Sequence, residues 1–204
     1  MRKFAKFLCT SLVILSALWL LSVRTDRQTL GEKVIRLHVV GASDSEADQT
    51  VKLQVRDAIV LALQGDLEQF ADPAAAKAYL QENLQAIETI ANDTLKSAGF
   101  SQKATVTLTE EAFPVRHYDT FSLPSGVYQS LRVTIGEGEG KNWWCVVFPS
   151  LCLPATGEDF GDTAAGAGFS QGLSGALKGE PTCQVRFFLL DLMGKLENFF
   201  FQNR

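Results

Sequence analysis

Histidine is almost missing from this chain. Its 204 residues carry two, His38 and His117. No pair of histidines therefore stands at metal-ligand spacing, and no serine sits in a G-x-S-x-G elbow. A thiol protease needs a cysteine, a histidine and an orienting group. Neither histidine stands in such a setting, and His38, on an alternating strand, reads as a structural or surface residue. The residues point to no catalytic group, no metal ligand and no cofactor, so an enzyme is not expected. Two near-motifs fall short. Asp44-x-Glu46-x-Asp48 imitates the opening of a calcium loop, but Gln49 takes the place of the required glycine and Val55 that of the bidentate glutamate. Gly-Glu-Gly-Glu-Gly-Lys at 136–141 imitates a phosphate loop, but Ile135 stands at its first position and Asn142 at its last. The acids read as the start of a helix and the glycines as a turn. Neither calls for a small-molecule substrate.

Basic residues are also scarce where they would matter. The formal net charge is −4. Arg2, Lys3 and Lys6 lie in the first 23 residues with no acid, so the remainder holds 16 basic against 23 acidic residues, a balance of −7. Such a body does not displace counterions from phosphates, which argues against nucleic-acid binding.

Cysteines are few: Cys9, Cys145, Cys152 and Cys183. Cys9 lies in the apolar leader, and the other three allow at most one intramolecular disulfide. Cys145 and Cys152 either close a small loop around Phe148 and Pro149 or are two buried thiols.

What is present begins with the leader. Behind its basic start, Phe7 to Val23 is a nearly continuous apolar run of 17 residues. That is near the lower limit for spanning a bilayer, and no A-x-A site follows it. Residues 1–23 are thus a signal peptide or a transmembrane anchor, and the basic flank keeps the N-terminus cytoplasmic while the body is exported. A disulfide is permitted there.

Residues 24–153 read as one α+β domain. Lys33 to Val40 alternates as a strand, and Ser43 with Glu46 makes a capping box for a helix whose apolar stripe is Val51, Val55, Ala58, Ile59 and Ala62. A second helix opens at Asp72 with Pro73 in its first turn and ends at Gly99. Strands follow at 103–109, 127–135 and 142–148. The 136–140 glycines join the last two as a hairpin, and Trp143 to Phe148, apolar on both faces, reads as a central strand. Phe113, Tyr118 and Phe121 lie in an irregular stretch suited to packing over the sheet. Residues 154–181 hold seven glycines and read as a flexible insertion. Residues 182–204 read as a helix that docks by its apolar face. The expected architecture is a largely antiparallel four-stranded sheet with helices on one face, packed by two consecutive helices and a C-terminal helix, behind an N-terminal membrane or signal helix.

Two segments carry a resemblance. S-D-S-E-A-D-Q-T-V-K-L-Q-V-R-D-A-I at 43–59 and L-P-S-G-V-Y-Q-S-L-R-V-T-I-G-E-G-E-G-K-N-W-W-C-V-V-F-P-S-L-C at 123–152, in that order, resemble the stage II sporulation protein R family from about Val34 to Leu153. Ala42 departs from the family's usual asparagine. The resemblance implies a signalling protein exported from the forespore into the space between the two sporulation membranes. Its implied partner is a membrane-embedded aspartic protease of the mother cell that processes pro-sigma-E. On this reading Asp44, Glu46 and Asp48, together with Glu137, Glu139, Trp143 and Trp144, form the partner-binding surface. Trp143 and Trp144 point to opposite faces of a regular strand, so one is core and the other a natural anchor. The alternative is a cell-envelope module that holds peptidoglycan through exposed aromatics.

Overall fold

The computed structural model describes residues 2–149 and 160–203, without the side chains of 161 and 162. The leader does not stop at Val23. A single helix, α1 (Arg2–Lys33), carries outward apolar side chains from Phe4 to Leu21 and then buries Val23, Asp26, Arg27 and Leu30 in the body. Its apolar portion is long enough to cross a membrane by length and composition. The strand β1 (Ile35–Val40) follows, buried at every position.

Next come α2 (Glu46–Leu67), α3 (Pro73–Glu82) and α4 (Leu84–Ser97). The expected cap of α2 moves by two residues. Ser45, not Ser43, accepts the amide of Asp48 at 3.1 Å. The Ser43 hydroxyl instead donates to the Asp48 carboxylate at 2.5 Å. The S-D-S sequence offers two hydroxyls, and the nearer one reaches the open amide of the first turn. Val51, Val55 and Ile59 are buried as the stripe requires, but Ala62 is exposed and Leu63 and Leu67 take its place. Asp72 caps α3 as expected, with Pro73 at its first position. That helix breaks at Asn83, so the second predicted helix is two.

The remaining strands are β2 (Ala104–Phe113), the short pair β3 (Arg116–His117) and β4 (Ser122–Leu123), β5 (Gly126–Ile135) and β6 (Asn142–Phe148). The main sheet has the order β2-β5-β1-β6, with β1 parallel to β5 and the other two pairings antiparallel. It is therefore mixed, though mostly antiparallel. Two expectations are corrected here. β1 lies between β5 and β6, so the glycine segment is not a hairpin but a bridge across the end of β1. Among the described strands β6 is at the edge rather than the centre. Its apolar faces come from cover on both sides, by α2 and by the layer opposite.

That opposite layer is the third correction. Helices cover both faces of the sheet. On one side α2, α3 and α4 pack on Ile35, Leu37, Val39, Val106, Leu131 and Val133. On the other, the end of α1 joins α5 (Phe160–Gly166), α6 (Gln171–Lys178) and α7 (Gln184–Gln202), over Phe113, Tyr128 and Val146. Phe121 and Tyr118 pack there as well. Within the glycine-rich 154–181 stretch, residues 160–178 thus form two short helices. Phe160, Phe169, Leu173 and Leu177 are buried, each worth about 1.5–3 kcal/mol of transfer free energy. Ala164 and Ala176 are buried as well, so part of the small-residue content serves packing, while residues 154–159 of the expected insertion lie outside the described residues. The C-terminal helix α7 does dock, but on a narrow side: Leu190 and Gly194 are its buried residues.

Candidate functional site

The bridge and the turn that precedes α2 build one pole of the molecule, at the end of β1 remote from α1. Gly140 N donates to Gly41 O at 2.8 Å, and Lys141 N donates to Asp44 Oδ1 at 2.8 Å. Gly136 and Gly138 have φ of 58° and 68°, the left-handed region that glycine enters without strain. A Cβ on Gly140 would overlap the backbone carbonyl of Ser43. The alternating glycines are therefore required by a tight crossing over β1, not by a phosphate.

Lys52 fastens this pole from below. Its Nζ donates to Lys141 O at 2.9 Å and to Gln49 Oε1 at 2.6 Å, with the side chain nearly buried. Burial pushes its pKa down, and the nearby Asp44 carboxylate opposes that shift. No motif announced Lys52; its one sequence signal is a lysine beside Val51 on the buried stripe of α2.

The expected contact residues divide between outside and inside. Asp44, Glu46, Glu137 and Glu139 are exposed around the pole. Asp48 is not available to a partner, being buried against Ser43. Trp143 is 37% exposed, with the Arg56 guanidinium 4.3 Å above its ring. Trp144 lies on the other face, stacked on His38 at 5.6 Å between centroids and covered by Arg116 at 3.6 Å. Trp143 is thus the outward tryptophan and Trp144 the enclosed one. Cys145 is disulfide-bonded. Cys152, its expected partner, lies outside the described residues.

Beside Trp144, side chains from four strands form a polar cluster that sequence reading missed. His38 Nδ1 faces Glu111 Oε2 at 3.0 Å, and Nε2 faces Asn142 Oδ1 at 2.8 Å. Ser130 Oγ donates to Glu111 Oε2 at 2.5 Å, and Arg132 Nη1 to Oε1 at 2.6 Å. Burial alone would raise the Glu111 pKa, but hydrogen bonds from His38, Ser130 and Arg132 outweigh it and hold the carboxyl down to about 2. Chemically this is a brace. The serine points to the carboxylate and both imidazole nitrogens are engaged elsewhere, whereas acyl transfer needs a nucleophile bonded to its base. Among the described residues, no group of three His, Cys, Asp or Glu is placed to hold a metal ion.

The sequence profile of stage II sporulation protein R matches residues 31–157, from the end of α1 past β6. The chain belongs to that family. Stage II sporulation protein R of Bacillus subtilis (strain 168) is 33% identical over 122 residues, which cover 60% of this chain and 54% of that protein. The chain thus matches about half the length of that curated relative. No solved structure matches it. Within the family match lie the acidic pole, the glycine bridge, both tryptophans and the polar brace, whereas α5, α6 and α7 fall beyond it.

Proposed function

We propose that this protein is an exported sporulation signal that activates a membrane-embedded aspartic protease in the mother cell, leading to processing of pro-sigma-E. Residues 1–23 anchor it in, or direct it through, the forespore membrane, and its body works in the space between the two membranes. The observation that carries this reading is membership of the stage II sporulation protein R family across residues 31–157. The apolar, outward-facing part of α1 supports export or anchoring. The contact surface is the pole built by Asp44, Glu46, Glu137, Glu139 and Trp143, which stands at the opposite end of β1 from the membrane helix. A ligand activates by binding the active state of its receptor more tightly than the inactive one. The backbone of the bridge that carries Glu137 and Glu139 is tied to Gly41 and Asp44 by hydrogen bonds, which limits what must be ordered on contact.

The triple variant Glu46→Lys, Glu137→Lys, Glu139→Lys tests the surface. All three side chains are exposed. The fold is therefore expected to survive, as circular dichroism would check. Processing of the pro-factor in a host that supplies both partners is expected to fall by about tenfold or more, since reversed rim charges oppose a complementary surface. Processing at the parent level by a folded triple variant would remove this pole from the contact.

A further inference from the structure

The outward face of α7 is left uncovered by the body. Val185, Phe188, Leu192, Leu196, Phe199 and Phe200 are 43–64% exposed. Their spacing places them on one face of the helix, a stripe about 120° wide. Most of the helix's charge is turned from that stripe. Arg186 pairs with Asp26, Asp191 binds the Ser125 amide and Lys195, and Glu197 pairs with Arg27.

The position of α7 says what covers this face. Its first turn is fastened to the end of the membrane-length apolar run of α1: Arg186 bonds Ser22 and Asp26 and lies near the Trp19 ring. Eleven residues along α7, Glu197 meets Arg27, only five residues along α1 from Ser22. Points about 16 Å apart on one helix thus meet points about 8 Å apart on the other. The two helices cross rather than run side by side. A helix that crosses the foot of a membrane span, with an aromatic apolar stripe facing away from the body, has the placement and composition of an interfacial helix.

We infer that α7 lies on the lipid surface crossed by α1, its stripe buried at the headgroup boundary, so that the body is held against the membrane by two elements rather than one. The inference rests on α1 being a membrane span. The full chain in phosphatidylglycerol and phosphatidylethanolamine nanodiscs tests it, with a benzophenone amino acid introduced singly at Phe188, Leu192 or Phe199. The same probe at Leu15 reports the span, and at Leu61, a still more exposed apolar residue of α2, reports chance contact. Lipid adducts at the α7 positions are expected to exceed those at Leu61 by about tenfold and to approach those at Leu15. Adducts at Leu15 with none on α7, or α7 adducts to a second copy of the chain in place of lipid, would overturn the inference and leave the span intact. Absence of adducts at Leu15 would overturn the span and the inference together.

Discussion

Gly194→Ala is expected to lower the melting temperature by roughly 10 °C, corresponding to about 3 kcal/mol for a domain of this size. A Cβ at this position would overlap the carbonyl oxygen of Ser125. Neither partner can easily give way. The Ser125 amide donates to Asp191 Oδ1 at 2.9 Å and its hydroxyl to Asp191 O at 3.0 Å, locking the turn to the helix one turn earlier. Asn198 Nδ2 holds the next turn to Phe113 O at 2.8 Å. The methyl must lift α7 from the start of β5, disturbing Leu190 and the pairing of the buried Arg27 with the part-exposed Glu197. Gly65→Ala is the control. It lies in α2 with nothing within 4 Å of its new methyl, and is expected to stabilise by up to about 1 kcal/mol through helix propensity. Thermal unfolding followed by circular dichroism separates the two. Equal, near-neutral shifts from both variants would show that α7 does not pack as described.

The second large effect is acid sensitivity through Glu111. Its carboxyl is held at about 2, below an ordinary value of 4.5. Because the folded value is the lower one, the stabilisation is fully present above about pH 4.5 and is lost as pH falls toward 2. A shift of this size corresponds to about 3 kcal/mol. Glu111→Gln preserves the shape but removes the charge that His38 and Arg132 face. Denaturant unfolding is expected to show the variant about 2–3 kcal/mol less stable at pH 7, with the gap closing between pH 4.5 and 2. Glu110→Gln, the exposed neighbour on β2, is expected to stay within about 0.5 kcal/mol of the parent. A Glu111→Gln curve that runs parallel to the parent's throughout would contradict the brace.

These two residues mark the limit of what the sequence made legible. Local signals were readable because their causes are local. Asp72 before Pro73 starts α3, alternation over Ile35–Val40 makes a strand, and the paired tryptophans fall on opposite faces. The acidic helix start and the glycine bridge could be named separately and do meet, through Asp44 and Lys141. That β1 inserts between β5 and β6 could not be read, because pairing over a hundred residues leaves no periodic trace in any one strand. Nothing local in the sequence sets Glu111 apart, for its partners His38, Ser130 and Arg132 come from other strands. Nor does the sequence mark Gly194, since the close approach that requires it lies 69 residues away at Ser125. Asp48 was legible as a helix-start acid, but whether it faces a partner or its own turn depended on which serine capped α2.

The most direct test of the account is co-expression, in a non-sporulating bacterium, of this protein with the membrane protease and its pro-sigma factor. The full chain is compared with one lacking residues 2–21 but retaining Ser22, which bonds Arg186, and Val23, Asp26, Arg27 and Leu30, which the body buries. A shortened factor is expected on a blot with the full chain, and none with the retained form at equal abundance. Equal shortening from both forms would contradict signalling from outside the cytoplasm. No shortening from the full chain, with both partners present and folded, would contradict the activating role itself.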